Sequence, residues 1–182
     1  MRRFVSGVIA TAALALVAPA LFQPSGAATD PPPRFTVATR KADDTVVVSG
    51  DETRTTFDIK SPSGISRAVF ERDGDTWPKA VVVRLHLKGL ESLKVTAGAV
   101  AVGAAVGVRD GTVEVRQWVP DKDETPLAAS DPRRLAVRVL GKDGKTAAAL
   151  PLAGGHVEVT VPAAFFRDNP KSLAVEWIDF YR

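Results

Sequence analysis

The chain has 182 residues, with 24 Lys and Arg against 21 Asp and Glu, and it contains no cysteine. Thiolate catalysis, disulfide staples and a lipid-attached cysteine are therefore excluded, and stability must come from the core itself. Without Arg2 and Arg3 the charge balance is 22 against 21, which offers no concentrated basic face for DNA or RNA.

The amino terminus carries an address. Arg2 and Arg3 precede an apolar run from Val8 to Val17, Pro19 and Pro24 break it, and Gly26-Ala27-Ala28 supplies small residues. Charged start, short apolar run and small-residue exit are the three parts of a secretory signal peptide. A membrane-spanning helix needs about 20 apolar residues, and Pro19 interrupts the only stretch that approaches this length. The expected organisation is a signal peptide over 1–28, cleaved so that the mature chain begins near Thr29 with no membrane attachment. Residues 29–34 form a stiff leader built on Pro31-Pro32-Pro33. One domain then occupies 35–182, and roughly 154 mature residues suffice to bury most of its apolar surface.

Within that domain the pattern is β nearly throughout. Thr45 to Ser49 and Thr55 to Ile59 are β-branched runs separated by a turn at Gly50-Asp51-Glu52, and Ser61-Pro62-Ser63-Gly64 is turn chemistry before a strand from Ile65 to Glu71. Val81, Val83, Leu85 and Leu87 alternate with Val82, Arg84, His86 and Lys88, as a half-buried strand requires. The run from Ala97 to Val108 has no polar side chain and is expected to be a tightly packed strand, with Gly where the backbone bends or something approaches closely. It is too short for a small-residue contact between membrane helices.

Arg109-Asp110-Gly111-Thr112 predicts a tight hairpin, because Asp-Gly tolerates the positive φ angles that match paired strands. Lys142-Asp143-Gly144-Lys145 is a second candidate. Leu135, Val137 and Val139 form one alternating strand, and Val157, Val159 and Val161 another. Pro162 to Phe166 fits a single helical turn. In the final segment Leu173, Val175 and Trp177 share a face, after which Ile178 and Phe180 change sides, so a bulge near Trp177 is expected unless both faces are covered. Many short strands with Gly and Pro turns predict an all-β protein, a single β-sandwich of antiparallel sheets in a jelly-roll-like arrangement.

Three segments carry a resemblance. Ser61-Pro62-Ser63-Gly64-Ile65 with Arg67-Ala68, Val83 to Glu91, and Asn169-Pro170-Lys171-Ser172-Leu173 running to Trp177-Ile178-Asp179-Phe180-Tyr181-Arg182 together resemble an uncharacterised family of exported bacterial proteins. The resemblance implies one compact β domain, and it brings no activity and no catalytic residues with it.

Catalytic signatures are absent from the sequence. No Gly-x-Ser-x-Gly elbow exposes a nucleophile, and His86 and His156 stand 70 residues apart at outward strand positions, without the close spacing of a zinc site. Asp73-Gly74-Asp75 and Asp121-Lys122-Asp123-Glu124 lack the ligand alternation of a calcium loop and read as solvated turns. No catalytic residue, metal or cofactor is assigned. Binding is the better class. Trp77, in a turn before the clearest strand, and Trp118, which shares an outward face with Thr112, Glu114 and Arg116, offer flat apolar surfaces for a sugar ring. Arg84 and His86, in line with Lys88, offer donors for carboxylates or sulfates. The expectation is an exported periplasmic or extracellular module, binding or structural, with a glycan or another cell-envelope component as partner. The alternatives are an envelope glycoside hydrolase whose carboxylates converge only in space, and an interaction module that pairs through an open sheet edge.

Overall fold

The computed structural model describes residues 35–39, 46–60, 67–87, 89–123, 125–147 and 154–179. The expected signal peptide and leader lie outside the described residues, as do Lys88, Phe180 and the whole of 61–66 with its expected turn. In chain order the strands are β1 (Phe35–Thr39), β2 (Val46–Gly50), β3 (Arg54–Ile59), β4 (Arg67–Arg72), β5 (Ala80–Leu85) and β6 (Leu90–Ala97). There follow β7 (Val100–Arg109), β8 (Thr112–Val119), β9 (Thr125–Pro126), β10 (Ala136–Leu140), β11 (His156–Val161) and β12 (Ser172–Asp179). The only helical element among the described residues is a 3-10 turn at Ala163–Phe166.

These strands form two sheets. The large sheet has the order β1-β4-β12-β6-β7-β8-β9, and the small sheet β10-β11-β5-β3-β2. The all-β sandwich expected from the sequence is what the chain adopts. Its sheets are antiparallel with one exception: β3 and β5 run parallel, with Asp58 beside Arg84. The chain reaches this arrangement by leaving the small sheet after β3, adding β4 to the large sheet, and returning as β5.

The inner faces pack on each other through residues that alternate as the sequence suggested. Phe57 and Ile59 of β3, Val81, Val83 and Leu85 of β5, and Val157, Val159 and Val161 of β11 are all buried on the small-sheet side. Phe57 stacks on Phe70 of β4 across the sandwich, with centroids 3.9 Å apart and planes 6° from parallel. Phe35 meets the edge of Phe57 at 5.0 Å and lies 5.4 Å from Trp77, which stacks on Phe166 of the 3-10 turn at 4.7 Å. A continuous aromatic row thus runs from the middle of the core to one end of the sandwich.

Three local expectations meet their structural outcome here. The hairpin at 109–112 forms, with Asp110 at φ 48° and Gly111 at φ 75°. A bulge falls between Ile178 and Asp179, leaving Ile178 exposed. The run from Ala97 to Val108 is not one strand. It is the end of β6, a turn at Gly98-Ala99 and most of β7, because Gly98 at φ 57° reverses the chain.

Truncation of the cross-sandwich stack should be severe. Phe57→Ala is expected to cost about 3–5 kcal/mol, measured by denaturant unfolding. Val47→Thr, on the exposed side of the edge strand β2, should stay within about 0.5 kcal/mol of the parent.

Candidate functional site

The four residues singled out for ligand binding fall in three separate places. Trp77 is in the core: it is 9% exposed, clasped by Phe35 and Phe166, and its Nε1–H donates to the Pro170 carbonyl at 2.6 Å. Its ring has no face to offer a ligand, because the segment 169–171 folds over the turn that carries it. Asn169 contributes by donating from Nδ2 to the Asp75 carbonyl at 2.7 Å. Trp118 lies on the outer face of the large sheet, while Arg84 and His86 lie on the outer face of the small sheet. The two outer faces point in opposite directions, so no single site uses them all.

On β8, Thr112, Glu114 and Arg116 are exposed and Trp118 is half-buried, whereas Gln117 on the opposite side is buried. Gln117 serves structure. Its amide donates to the Leu135 carbonyl at 2.6 Å and accepts from the Leu135 N–H at 3.1 Å, pinning the loop before β10. Trp118 pairs with Gly103 on β7. A Cβ at Gly103 would come within 2.6–2.9 Å of three atoms of the indole six-membered ring, so the ring lies across bare backbone. Beside it the small side chain of Ala105 leaves a depression of about 310 Å³, lined also by Glu91, Ser92 and Arg116. This volume stands at the lower end of small-molecule sites. The lining mixes an aromatic edge with a carboxylate, a hydroxyl and a guanidinium.

The outer face of the small sheet is electrostatic. Four residues stand in register across β3, β5, β11 and β10: Asp58, Arg84, Glu158 and Arg138. Their charges alternate. Arg84 Nη2 donates to Glu158 Oε2 at 3.2 Å, and Nη1 lies 3.9 Å from Asp58 Oδ2. Arg138 Nη2 donates to Glu158 Oε1, and Arg54 Nη2 reaches the same oxygen at 3.7 Å. Arg54 stands on β3 and Glu158 on β11, so its side chain must cross β5 at Val82. That path explains why Val82 is fully buried on an outward position. Glu158 is only 3% exposed, with three guanidinium groups around it.

One position along, His86 and His156 face each other with ring centroids 5.4 Å apart. His86 Nε2 lies 2.8 Å from Asp58 Oδ1. His156 Nε2 is buried with no hydrogen-bond partner among the described residues, and so is Arg84 Nε. Burial, with Arg84 and His86 nearby, pushes the His156 imidazole below its ordinary value of 6.5, against the opposing pull of Glu158 and Asp58. Burial pushes the Glu158 carboxyl up, but hydrogen bonds from Arg138 and Arg84 outweigh it and hold the group below its ordinary 4.5. Among the described residues no group of three or more His, Asp or Glu side chains is placed to hold a metal ion.

Sequence reasoning found Arg84 and His86 but missed the partners that organise them. Asp58, Glu158, Arg138 and Arg54 come from three other strands, and only the parallel pairing of β3 with β5 brings Asp58 alongside. On the large sheet it missed Glu91 and Ser92. No protein-family model matches the chain, and no curated protein and no solved structure shows significant similarity to it.

Both shifted groups make the fold acid-sensitive. Below 6.5 the unfolded chain binds a proton at His156 that the folded chain resists, so stability falls as pH drops through this value. The contribution of Glu158 is present above 4.5 and is lost as pH falls through its lower folded value. The melting temperature should begin to decline on acidification from pH 7, and His156→Gln should remove the first part of that decline. Parallel declines in parent and variant between pH 7 and 5 would contradict the assignment.

Proposed function

We propose that the protein is an exported, non-catalytic binding module that holds a glycan of the cell envelope on the outer face of its large sheet. One observation carries this reading: the Trp118 indole, seated over Gly103, borders a sugar-sized depression whose rim is polar. The C–H face of a pyranose is apolar and its hydroxyls are not. A rigid aromatic surface beside Glu91, Ser92 and Arg116 answers both features, and the indole loses little conformational freedom when it is used.

The hydrolase alternative needs one carboxyl kept protonated to act as general acid. Glu158 is the most buried carboxyl among the described residues, and its arginine partners favour its ionised form. Asp58 is engaged by His86 and Arg84. Both carboxylates are better placed to organise cations than to transfer protons, which favours binding over hydrolysis.

Co-sedimentation with isolated cell envelope and with insoluble polysaccharides tests the proposal. Saturable binding is expected, weakened about tenfold or more in Trp118→Ala, with the fold retained at a somewhat lower melting temperature because the half-buried ring covers Gly103. Gly103→Ala should reproduce much of the loss by lifting the ring from its seat. Binding that survives both substitutions would remove Trp118 from the site, and no binding would remove the glycan.

A further inference from the structure

We infer that the outer face of the small sheet is a second binding site, and that its ligand is the carboxylate or sulfate group of an anionic polysaccharide. The inference stands on Glu158 and its three arginines and does not depend on the reading given to Trp118.

Arg54, Arg84 and Arg138 bring three positive charges to a cluster whose carboxylates are Glu158 and Asp58, and Asp58 is shared with His86. Three guanidinium charges against two carboxylates leave the cluster a cationic excess. The two carboxylates that could repel an incoming anion are the less accessible members. The Glu158 side chain is 4% exposed and that of Asp58 17%, whereas Arg54 and Arg138 are each 56% exposed. An approaching oxyanion therefore meets guanidinium groups first.

Geometry supports the same conclusion. Arg54 comes from the β3 side and Arg138 from the β10 side, and both converge on Glu158 Oε1. A guanidinium carries five N–H donors in a planar fork. Among the described residues Glu158 is the acidic partner of both, so donors remain on each arginine toward solvent. Long arginine side chains usually lose much rotamer freedom on binding. Here a buried carboxylate already gathers their ends around one point, so less is lost when a ligand bridges them. Glu158 thus acts as a positioning residue for the two arginines that would touch the ligand.

The occupant follows from what surrounds the cluster. The neighbouring outward positions are Thr56, Thr160 and the two imidazoles. No Phe, Tyr or Trp stands among the described outward positions of this sheet to stack nucleobases. Val47 is the one large exposed hydrophobic residue there, which is too little for a lipid surface. An open face of fixed guanidinium donors suits one acidic group of a hydrophilic chain.

Binding of the intact protein to immobilised polygalacturonate, dextran sulfate and uncharged dextran tests this. Retention is expected on one or both polyanions, weakening as salt is raised, and the preferred polymer identifies the oxyanion. Arg54→Gln/Arg138→Gln should weaken it by at least about tenfold. Arg54→Lys/Arg138→Lys, which keeps charge but loses the fork, should lie between parent and Gln variant and guards against a folding defect. Trp118→Ala should leave polyanion retention unchanged, so failure here is distinguishable from failure of the glycan site on the large sheet. Absence of retention on both polyanions would overturn the inference. So would retention that the glutamine pair leaves intact, or equal retention on uncharged dextran.

Discussion

The stack of Phe57 on Phe70 fixes which way β3 and β4 face. It joins β3 of the small sheet to β4 of the large one at 3.9 Å, and a strand side chain can point only to one face or the other. With Phe57 and Ile59 inside, Thr56 and Asp58 must be outside. Burial of Val81, Val83 and Leu85 sends Arg84 outward, and burial of Val157 and Val159 sends Glu158 outward. A slip of one residue in either strand would drive Arg84 or Glu158 into an apolar interior. That penalty far exceeds any pairwise gain on the surface, so the charged row is placed by the core beneath it.

Legibility followed the range of the interaction. Val81 to Leu87 announced its orientation because alternation is local, and Asp110-Gly111 announced its hairpin for the same reason. More could have been taken from that hairpin. Counting six residues outward from Arg109 and Thr112 sets Gly103 against Trp118, so a bare glycine beneath an indole was implicit in the turn. Trp77 shows the opposite limit. It sits in a polar turn, and nothing nearby reveals that Phe35, Phe166 and the Pro170 carbonyl will enclose it. The parallel pairing of β3 with β5 was also hidden, because it depends on the chain visiting the other sheet in between. The arrangement of Asp58 beside Arg84 was hidden with it.

Glu158 sharpens the distinction between outward and exposed. Its strand alternates as a half-buried strand should, and the sequence placed it correctly on the outer face. It is nevertheless buried, since Arg54, Arg84 and Arg138 close over it from three other strands. Solvation of an outward residue depends on the length and charge of its neighbours two strands away. Periodicity carries no information about those.

The energetic standing of this row differs from that of the core. Taking a carboxylate out of water is costly, and ion pairs often do no more than offset that cost, so apolar residues in place of the whole cluster would serve stability as well. One arginine would suffice to balance Glu158, and Arg84 stands directly beside it in register. Arg84 is shared with Asp58, so the three arginines exceed the two carboxylates by one charge, and Arg54 and Arg138 each hold a long side chain in one place for a largely exposed contact of small value. Folding gives little reason for three guanidinium groups around one buried oxygen pair. The large sheet, by contrast, sets Gly103 and Ala105 of β7 beside a single indole on its outer face. Two faces with such different chemistry are fixed back to back by one core, so any groups bound at the two proposed sites would be held in a constant relation to each other.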